Sequence, residues 1–261
     1  MDRSNIEKIA KSSEDKVLLA KVWDKINAGI QRNIPANTCF LSPRELEMTK
    51  YLFGSVDGLI SFGGYHDAER KMLIYLPDYL DESYLYQNDA PLVCMQASFF
   101  EKDSPTHRDF LGALIGSGIA RETIGDICVS NNSCHFFLSS EIAPYVIQNF
   151  TSAGTTKLQV SQISLNDYSP PVQNIVIIKD TVASLRFDSV ISSGFRIGRS
   201  SAAQYITTGR SAIDGLPCEK PDKLIEEGTK LSVRGLGKIK LEKVNGQTKK
   251  GRISIVIHRY V

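Results

Sequence analysis

The chain has 261 residues, of which 42% are hydrophobic and 23% charged, with 31 basic and 29 acidic side chains. This composition is typical of a globular protein and excludes a chain that is disordered throughout, and the length favours about two domains with cores of their own. The charged N-terminus and the lack of a long apolar run argue against a signal peptide and a membrane span, so we expect a cytosolic protein.

Charge is distributed unevenly along the chain. Residues 1–80 carry 11 basic and 11 acidic side chains, residues 81–180 carry 5 and 11, and residues 181–261 carry 15 and 7. A basic segment with the periodicity of folded elements is typical of nucleic-acid contact, although a solubilising surface has the same composition.

The first predicted domain, residues 1–80, is an N-terminal α/β segment of helices and a hairpin. Ser12 with Asp15, and Ser42 with Pro43 and Glu45, have the spacing of helix starts. Two strand-like runs follow. They are joined by a glycine-led connection for which binding and a purely structural role are equally open. Its polar and glycine residues are Gly63, Gly64, Tyr65, His66, Glu69 and Arg70.

The second predicted domain, residues 81–180, has its strands and helices in the order β-α-β-β-α-β. This order is that of ferredoxin-like and RRM-type domains. The strands do not match the aromatic-rich RNP1 pattern, so stacking of bases on the sheet has little support from the sequence. A proline-containing linker at residues 168–173 and a short strand at 174–180 lead into the last segment.

Several patterns that suggest chemistry in this domain are incomplete. His107-Arg108-Asp109 lacks the asparagine of a kinase catalytic loop, because Leu114 occupies that position. We instead expect Thr106 to cap a helix and Arg108 or Asp109 to fix the adjoining loop, and a contact to RNA or to a protein is the alternative. Cys128, Cys134 and His135 lack a fourth metal ligand, which favours core packing, and GALIGSG at residues 112–118 lacks the end of a phosphate-binding loop. We therefore predict no catalytic residue, metal or cofactor. The five scattered cysteines are expected to be reduced thiols.

The third predicted domain, residues 181–261, begins with two short helices. Ser184 is the predicted cap of a helix from Leu185 to about Ser193, ended by Gly194. Ser201 and Gln204 have the spacing of a second helix start, and Gly209 suits a left-handed C-terminal residue. Small strands follow, with turns at Asp214-Gly215 and between Gly235 and Gly237.

Basic side chains near the turn between these helices are the predicted RNA contacts, because guanidinium groups and helix starts suit phosphate. The alternative is that some of them pair with Asp188, Asp214 or Glu242. Lys249, Lys250 and Arg252 are expected to form a solvated turn, and an extension of the basic surface is the alternative. The predicted RNA-binding residues are Arg186, Arg196, Arg199, Ser200, Ser201, Gln204, Arg210, Lys238 and Lys240.

Four motifs of the last segment, LRFD, GRSSA, the Gly209-Arg210 exit and EEGTKLSVRG, resemble the S4 RNA-binding domain. With FGGYHDAERK and SPTHRDFLGALIGSGIARETIGDI further upstream, nearly the whole chain resembles the YlmH family of bacterial RNA-binding proteins. The resemblance implies an RRM-like middle domain and a C-terminal S4 domain. It also implies association with ribosomal RNA and tRNA on the large ribosomal subunit, in ribosome-associated quality control. Ser201, Thr207 and Asp214 depart from the usual S4 pattern.

The sequence thus predicts an α+β protein that binds RNA without catalysing a reaction. Two alternatives remain open: an RNA-modifying enzyme with an S4 module, and a protein-interaction adaptor linked to cell division. No paired acid and base residues support the enzyme, and the acidic middle domain is the feature that would serve the adaptor.

Overall fold

The computed structural model describes residues 3–100, 102–170, 174–248 and 251–261. The chain forms two compact units, Met1–Pro171 and Val172–Val261. Each unit combines helices with antiparallel sheets, so the predicted α+β class is confirmed. Among the described residues, no helix has both the length and the apolar character needed to cross a bilayer.

Unit 1 begins with three helices, α1 (Ile6–Ile9), α2 (Ser13–Arg32) and α3 (Pro43–Phe53). The Ser12 hydroxyl accepts the Asp15 backbone N–H at 3.1 Å, and Ser42 and Glu45 form a reciprocal capping box with Pro43 in the first turn. Both predicted helix starts are therefore confirmed.

A three-stranded sheet packs with these helices in unit 1. Its strands, in the order β1-β3-β2, are β1 (Ala36–Asn37), β2 (Leu59–Phe62) and β3 (Met72–Tyr75). Strands β2 and β3 form the predicted hairpin. The rings of Trp23 on α2 and Phe53 on α3 stack with centroids 5.5 Å apart in the core beside it.

The rest of unit 1 is built on a four-stranded antiparallel sheet with the order β5-β6-β4-β9. The small hairpin β7–β8 was not expected from the sequence. The elements in chain order are β4 (Leu92–Ser98), α4 (His107–Gly116), β5 (Ile124–Val129), β6 (Ser133–Ser139), α5 (Ala143–Asn149), β7 (Ser152–Ala153), β8 (Thr156–Lys157) and β9 (Gln159–Ile163).

Both faces of this four-stranded sheet are covered. On one face, Phe136 of β6 packs with Phe110 of α4 and Val146 of α5. On the other face, Phe137 packs with Phe40 and with Met72 of β3. Since neighbouring residues of a strand point to opposite faces, Phe136 and Phe137 serve two separate cores.

Unit 2 contains one six-stranded antiparallel sheet, in the order β10-β15-β14-β13-β11-β12, and two helices. The predicted turns at Asp214-Gly215 and at Gly235 to Gly237 are confirmed, and all four of these residues have positive φ. The elements are β10 (Ile175–Val182), α6 (Phe187–Phe195), α7 (Arg199–Thr207), β11 (Ser211–Ile213), β12 (Leu216–Pro217), β13 (Lys230–Val233), β14 (Gly237–Gln247) and β15 (Ile253–Tyr260).

The core of unit 2 lies between the helices and one face of the sheet. Phe187, Val190 and Ile191 form the apolar face predicted for the first helix and are fully buried against strand residues such as Ile239 and Ile257. Strand β10 pairs with β15 along its whole length, from Ile175 to Val182. The predicted boundary at residues 180 and 181 therefore falls inside a strand of this sheet.

Candidate nucleic-acid interface

The two helices of unit 2 begin and end at residues other than those predicted. Helix α6 starts at Phe187, with Arg186 rather than Ser184 at its N-cap. It runs through Gly194, where a Cβ atom would lie 2.5 Å from the Ile239 side chain, so the glycine permits close packing instead of ending the helix. The left-handed residue that ends it is Arg196, with φ of 54°.

Helix α7 begins immediately after this turn. Its N-cap is Gly198 and its first residue is Arg199, so Ser201 lies inside the first turn and is not the cap. Gly209 has the predicted positive φ after the C-terminal end. A glycine N-cap supplies no side-chain acceptor, and the first backbone N–H groups of α7 therefore remain available beside Arg199.

The most specific arrangement in unit 2 is a clamp formed by Arg186, Asp188 and Arg199. Arg186 donates to the Asp188 carboxylate from Nε at 3.3 Å and from a terminal nitrogen at 3.4 Å. Arg199 donates to it at 3.1 and 3.4 Å. The Asp188 side chain is only 7% exposed, whereas the Arg186 and Arg199 side chains are 37% and 53% exposed. The buried anion thus holds two solvent-accessible guanidinium groups next to each other.

The clamp also determines the charge state of its carboxylate. Burial acts to raise the pKa of Asp188, but the hydrogen bonds and positive charges of Arg186 and Arg199 outweigh it and hold the pKa below its usual range. Asp188 therefore stays ionised near neutral pH. Two of the five N–H donors of each guanidinium are used in this contact, which leaves three on each arginine for other acceptors.

A short segment after β12 positions the N-terminus of α6. The backbone N–H groups of Phe187 and Asp188 donate to the carbonyls of Lys223 and Pro221 at 2.8 and 3.0 Å. Lys220 and Lys223 are exposed in this segment together with Glu219 and Asp222, so the segment brings two basic side chains beside the clamp without adding net charge. Neither lysine was predicted as a contact, because the segment has no periodicity and its position next to Arg186 depends on the tertiary fold.

The other predicted polar residues of the helices differ in their surroundings. Arg196, Ser200, Ser201 and Gln204 are exposed around the turn between α6 and α7. The Arg210 guanidinium instead lies 4.7 Å from the centre of the Tyr205 ring and donates to the Arg234 carbonyl at 3.0 Å. Arg210 therefore also joins the end of α7 to the turn between β13 and β14.

The two predicted lysines of the sheet are separated from the clamp. Ile239 and Leu241 of β14 are buried in the core that α6 covers. Lys238 and Lys240 alternate with them and project from the opposite face of the sheet. Lys240 forms an ion pair with Glu242 at 2.8 Å. Pairing with Glu242 was one of the alternatives to RNA contact that the sequence left open. The arginines of the two helices and these two lysines therefore lie on opposite sides of the sheet.

Arg252 also has a structural partner, because its guanidinium donates to the Thr181 hydroxyl at 2.9 Å and to the Thr181 carbonyl. Arg252, which directly precedes β15, therefore links that end of the strand to β10. Lys249 and Lys250, which were predicted in the same turn, lie outside the described residues.

The glycine-led connection of unit 1 docks on the four-stranded sheet. Asp126 of β5 accepts hydrogen bonds from the Tyr65 hydroxyl at 2.9 Å and from the backbone N–H groups of Glu69 and Arg70 at 2.7 and 3.0 Å. Burial and the Asp126 carboxylate raise the pKa of Tyr65, so its hydroxyl remains a donor. These contacts give the connection a structural role.

This docking closes the sheet face on which RRM-type domains stack bases. The Tyr65 ring lies 5.3 Å from the Phe137 ring, and Tyr168 lies 5.0 Å from Phe137 and 5.2 Å from His135. Because aromatic side chains of the chain itself occupy this face, RNA cannot stack on it in this conformation.

The remaining polar motifs of unit 1 also serve the fold. Thr106 donates from its N–H and hydroxyl groups to Asp109 at 2.7 and 2.8 Å, at the start of α4. Cys134 is buried on the helix side of the sheet, whereas Cys128 lies 3.9 Å from the Tyr65 hydroxyl on the other side. The predicted packing role of these residues is consistent with this arrangement, and the five cysteines are free thiols.

Similarity to known proteins extends over most of the chain. Residues 96–167 match a sequence family described as "Putative RNA-binding domain in YlmH". The chain is 34% identical over 224 residues to "Ribosome-associated protein quality control protein P2" of Bacillus subtilis (strain 168), which covers 85% of this chain and 86% of the relative. The solved "Cell division protein ylmH from Streptococcus pneumoniae" is 22% identical, with a TM-score of 0.48, and the match covers 60% of this chain and 96% of that one.

Proposed function

The chain belongs to the YlmH family, and on that premise we propose that it is a non-catalytic protein that binds RNA through unit 2 and associates with the ribosome. The clamp is the observation that carries this proposal. A buried carboxylate holds Arg186 and Arg199 side by side, with unused donors on both, next to the open start of α7.

This geometry suits the phosphate groups of folded RNA. Arginine presents planar donors that match pairs of phosphate oxygens, and a helix start adds backbone N–H groups and a positive dipole end. Fixing the two guanidinium groups in advance reduces the conformational entropy that binding would otherwise cost. Exposed Arg196, Ser200, Ser201 and Gln204 extend the same surface.

The finer assignments follow from the family. Unit 2 is proposed to be an S4-type domain, and residues 92–163 an RRM-like domain, which the antiparallel strand order β5-β6-β4-β9 supports. The RNA is proposed to be ribosomal RNA and tRNA on the large subunit, in the cytoplasm. A role in ribosome-associated quality control is proposed from the name of the Bacillus subtilis relative.

Co-sedimentation with ribosomes at two salt concentrations tests this proposal. We expect Arg186→Glu/Arg199→Glu to leave the large-subunit fraction. The control Lys21→Glu/Lys25→Glu, which makes the same change of charge on an exposed face of α2, should remain bound. Retention of the arginine variant at wild-type levels would refute the assignment of the surface.

A second variant separates loss of binding from loss of folding. Charge reversal of both arginines leaves Asp188 buried among negative charges, which destabilises unit 2. The clamp variant, Arg186→Gln/Asp188→Asn/Arg199→Gln, removes the buried charge together with its partners. It should keep the circular dichroism spectrum of the wild type and still leave the large-subunit fraction.

A further inference from the structure

The face of the unit 2 sheet that points away from α6 carries in-register rows of polar side chains. The first row crosses the strands β13, β14, β15 and β10 in that order. Its members are Lys230, Lys240, His258 and Ile177, and each lies directly opposite the next. The second row contains Ser232, Lys238, Tyr260 and Ile175, and the third contains Lys243, Val256 and Lys179. We refer to these three rows as the outer face.

The outer face is strongly basic. Its lysines are Lys179, Lys230, Lys238, Lys240 and Lys243. Glu242 lies among them, and Asp214 and Glu227 lie at the edge, where their carboxylates accept the backbone N–H groups of Lys230 and Val244. Glu242 contacts Lys240 at 2.8 Å and His258 Nδ1 at 3.5 Å. Lys230 and Lys240 lie directly opposite each other, and like charges in this position repel and destabilise a sheet. The five lysines outnumber these three carboxylates, so the face is net positive and attracts anions.

We propose that the outer face is a second RNA-contact surface, which binds a different RNA segment from the clamp. This inference rests on the proposed function and adds a second site to it. Ile239 contacts α6 at Gly194, and Lys238 and Lys240 on either side of it point away from that helix. The clamp belongs to the ends of α6 and α7, which cover the other face, so the sheet lies between it and these lysines.

The chemistry of the outer face favours RNA over an acidic protein. Surfaces that hold single-stranded nucleic acid combine lysines along the phosphate backbone with aromatic rings on which bases stack. Half-buried Tyr260 lies beside Lys238 in the second row. Ile175 and Ile177, 41% and 59% exposed on β10, provide an apolar margin for ribose and base edges. The lysine ammonium group is a compact point charge, which suits contact with RNA phosphates whatever the base sequence.

The two surfaces would allow one unit to join two RNA segments. The full-length chain is titrated with a short RNA duplex and with a short single strand, and the number of bound RNA molecules per chain is measured by sedimentation. We expect the wild type to bind two RNA molecules. The variant Lys230→Glu/Lys238→Glu should bind one, and the clamp variant should also bind one. The lysine variant should bind the second RNA at least about tenfold more weakly at low salt, since two phosphate contacts are lost. Lys21→Glu/Lys25→Glu, with the same change of charge, should still bind two.

The outcomes separate this inference from the proposed function. If the wild type binds one RNA, or if Lys230→Glu/Lys238→Glu still binds two, the outer face is not an RNA site, whatever the clamp variant does. If the lysine variant loses one RNA while the clamp variant keeps both, the outer face is supported and the clamp assignment is refuted. A lysine variant that binds both RNAs and loses only a protein partner would also overturn the proposal.

Discussion

Replacing all three clamp residues together, as in the clamp variant, separates the role of the clamp in RNA binding from its role in folding. Removing Arg186 and Arg199 alone would leave the Asp188 carboxylate, 7% exposed, without its partners, which costs about 3–5 kcal/mol. The clamp variant avoids this penalty because glutamine and asparagine can hydrogen bond without charge. Its net charge falls by one, and Lys21→Gln provides a control with the same change.

The expected size of the effect follows from the number of phosphates contacted. Each phosphate contact contributes about 0.7–0.9 to the slope of log K against log salt, so the loss of two arginine contacts lowers the slope by about 1.4–1.8. Over a roughly fourfold rise in salt, the affinity of the wild type should fall about tenfold further than that of the clamp variant.

Fluorescence anisotropy with labelled large-subunit ribosomal RNA, measured over a series of salt concentrations, provides both slopes. The Lys21→Gln line should run parallel to that of the wild type. If the clamp variant also gives a parallel line while its circular dichroism spectrum is unchanged, Arg186 and Arg199 do not contact phosphate, and the reasoning from their geometry fails.

Two further predictions concern the stability of the units. The pKa of Asp188 is lower in the folded chain than its unfolded value of about 3.9, so its stabilisation is present above that pH and lost as the pH falls through the folded pKa. Asp188→Asn should therefore lower the free energy of unfolding by about 1–3 kcal/mol near neutral pH, and by less at a pH below the folded pKa of Asp188. The free energy of unfolding is measured by circular dichroism, because the only tryptophan, Trp23, is in unit 1 and does not report on unit 2. An equal loss of stability at both pH values would contradict the prediction. Gly64 has φ of +97°, and a Cβ there would lie 2.3 Å from the Phe137 ring, so Gly64→Ala should destabilise unit 1 by about 2–3 kcal/mol in Trp23 fluorescence unfolding. The control Gly116→Ala, with no neighbour within 4 Å of the added carbon, should not destabilise unit 1. Equal unfolding midpoints for the two variants would argue against docking of the glycine-led connection on the four-stranded sheet.

The helix ends of the chain show where local rules suffice and where they fail. The Ser12 and Ser42 caps were predictable because each cap contacts a residue only three positions away. The end of α6 was not, because Gly194 was interpreted by its conformational freedom. In the structure this glycine is required by the close approach of Ile239, a residue of a distant strand.

The candidate site divides in the same way. The alternation of Ile239 and Leu241 with Lys238 and Lys240 was visible in the sequence. Which of these two sets α6 covers depends on the tertiary fold, so the arginines and lysines were listed together as RNA contacts. The covering of the four-stranded sheet by Tyr65 and Tyr168 was also hidden, because Tyr65 contacts Asp126 and Tyr168 contacts Phe137, residues that are distant from them in the sequence.

The sequence by itself determined the α+β class, the order of helices and strands, the hairpin turns and the concentration of positive charge in the last segment. Each of these depends on composition or on neighbours within a few positions. Only the tertiary structure decided which charged groups meet. Arg199 reaches Asp188 because the turn after α6 reverses the chain, and Asp188 is buried because a segment more than 30 positions later packs beside it. Burial and ion pairing depend on contacts between distant segments, and those contacts exist only in the folded chain.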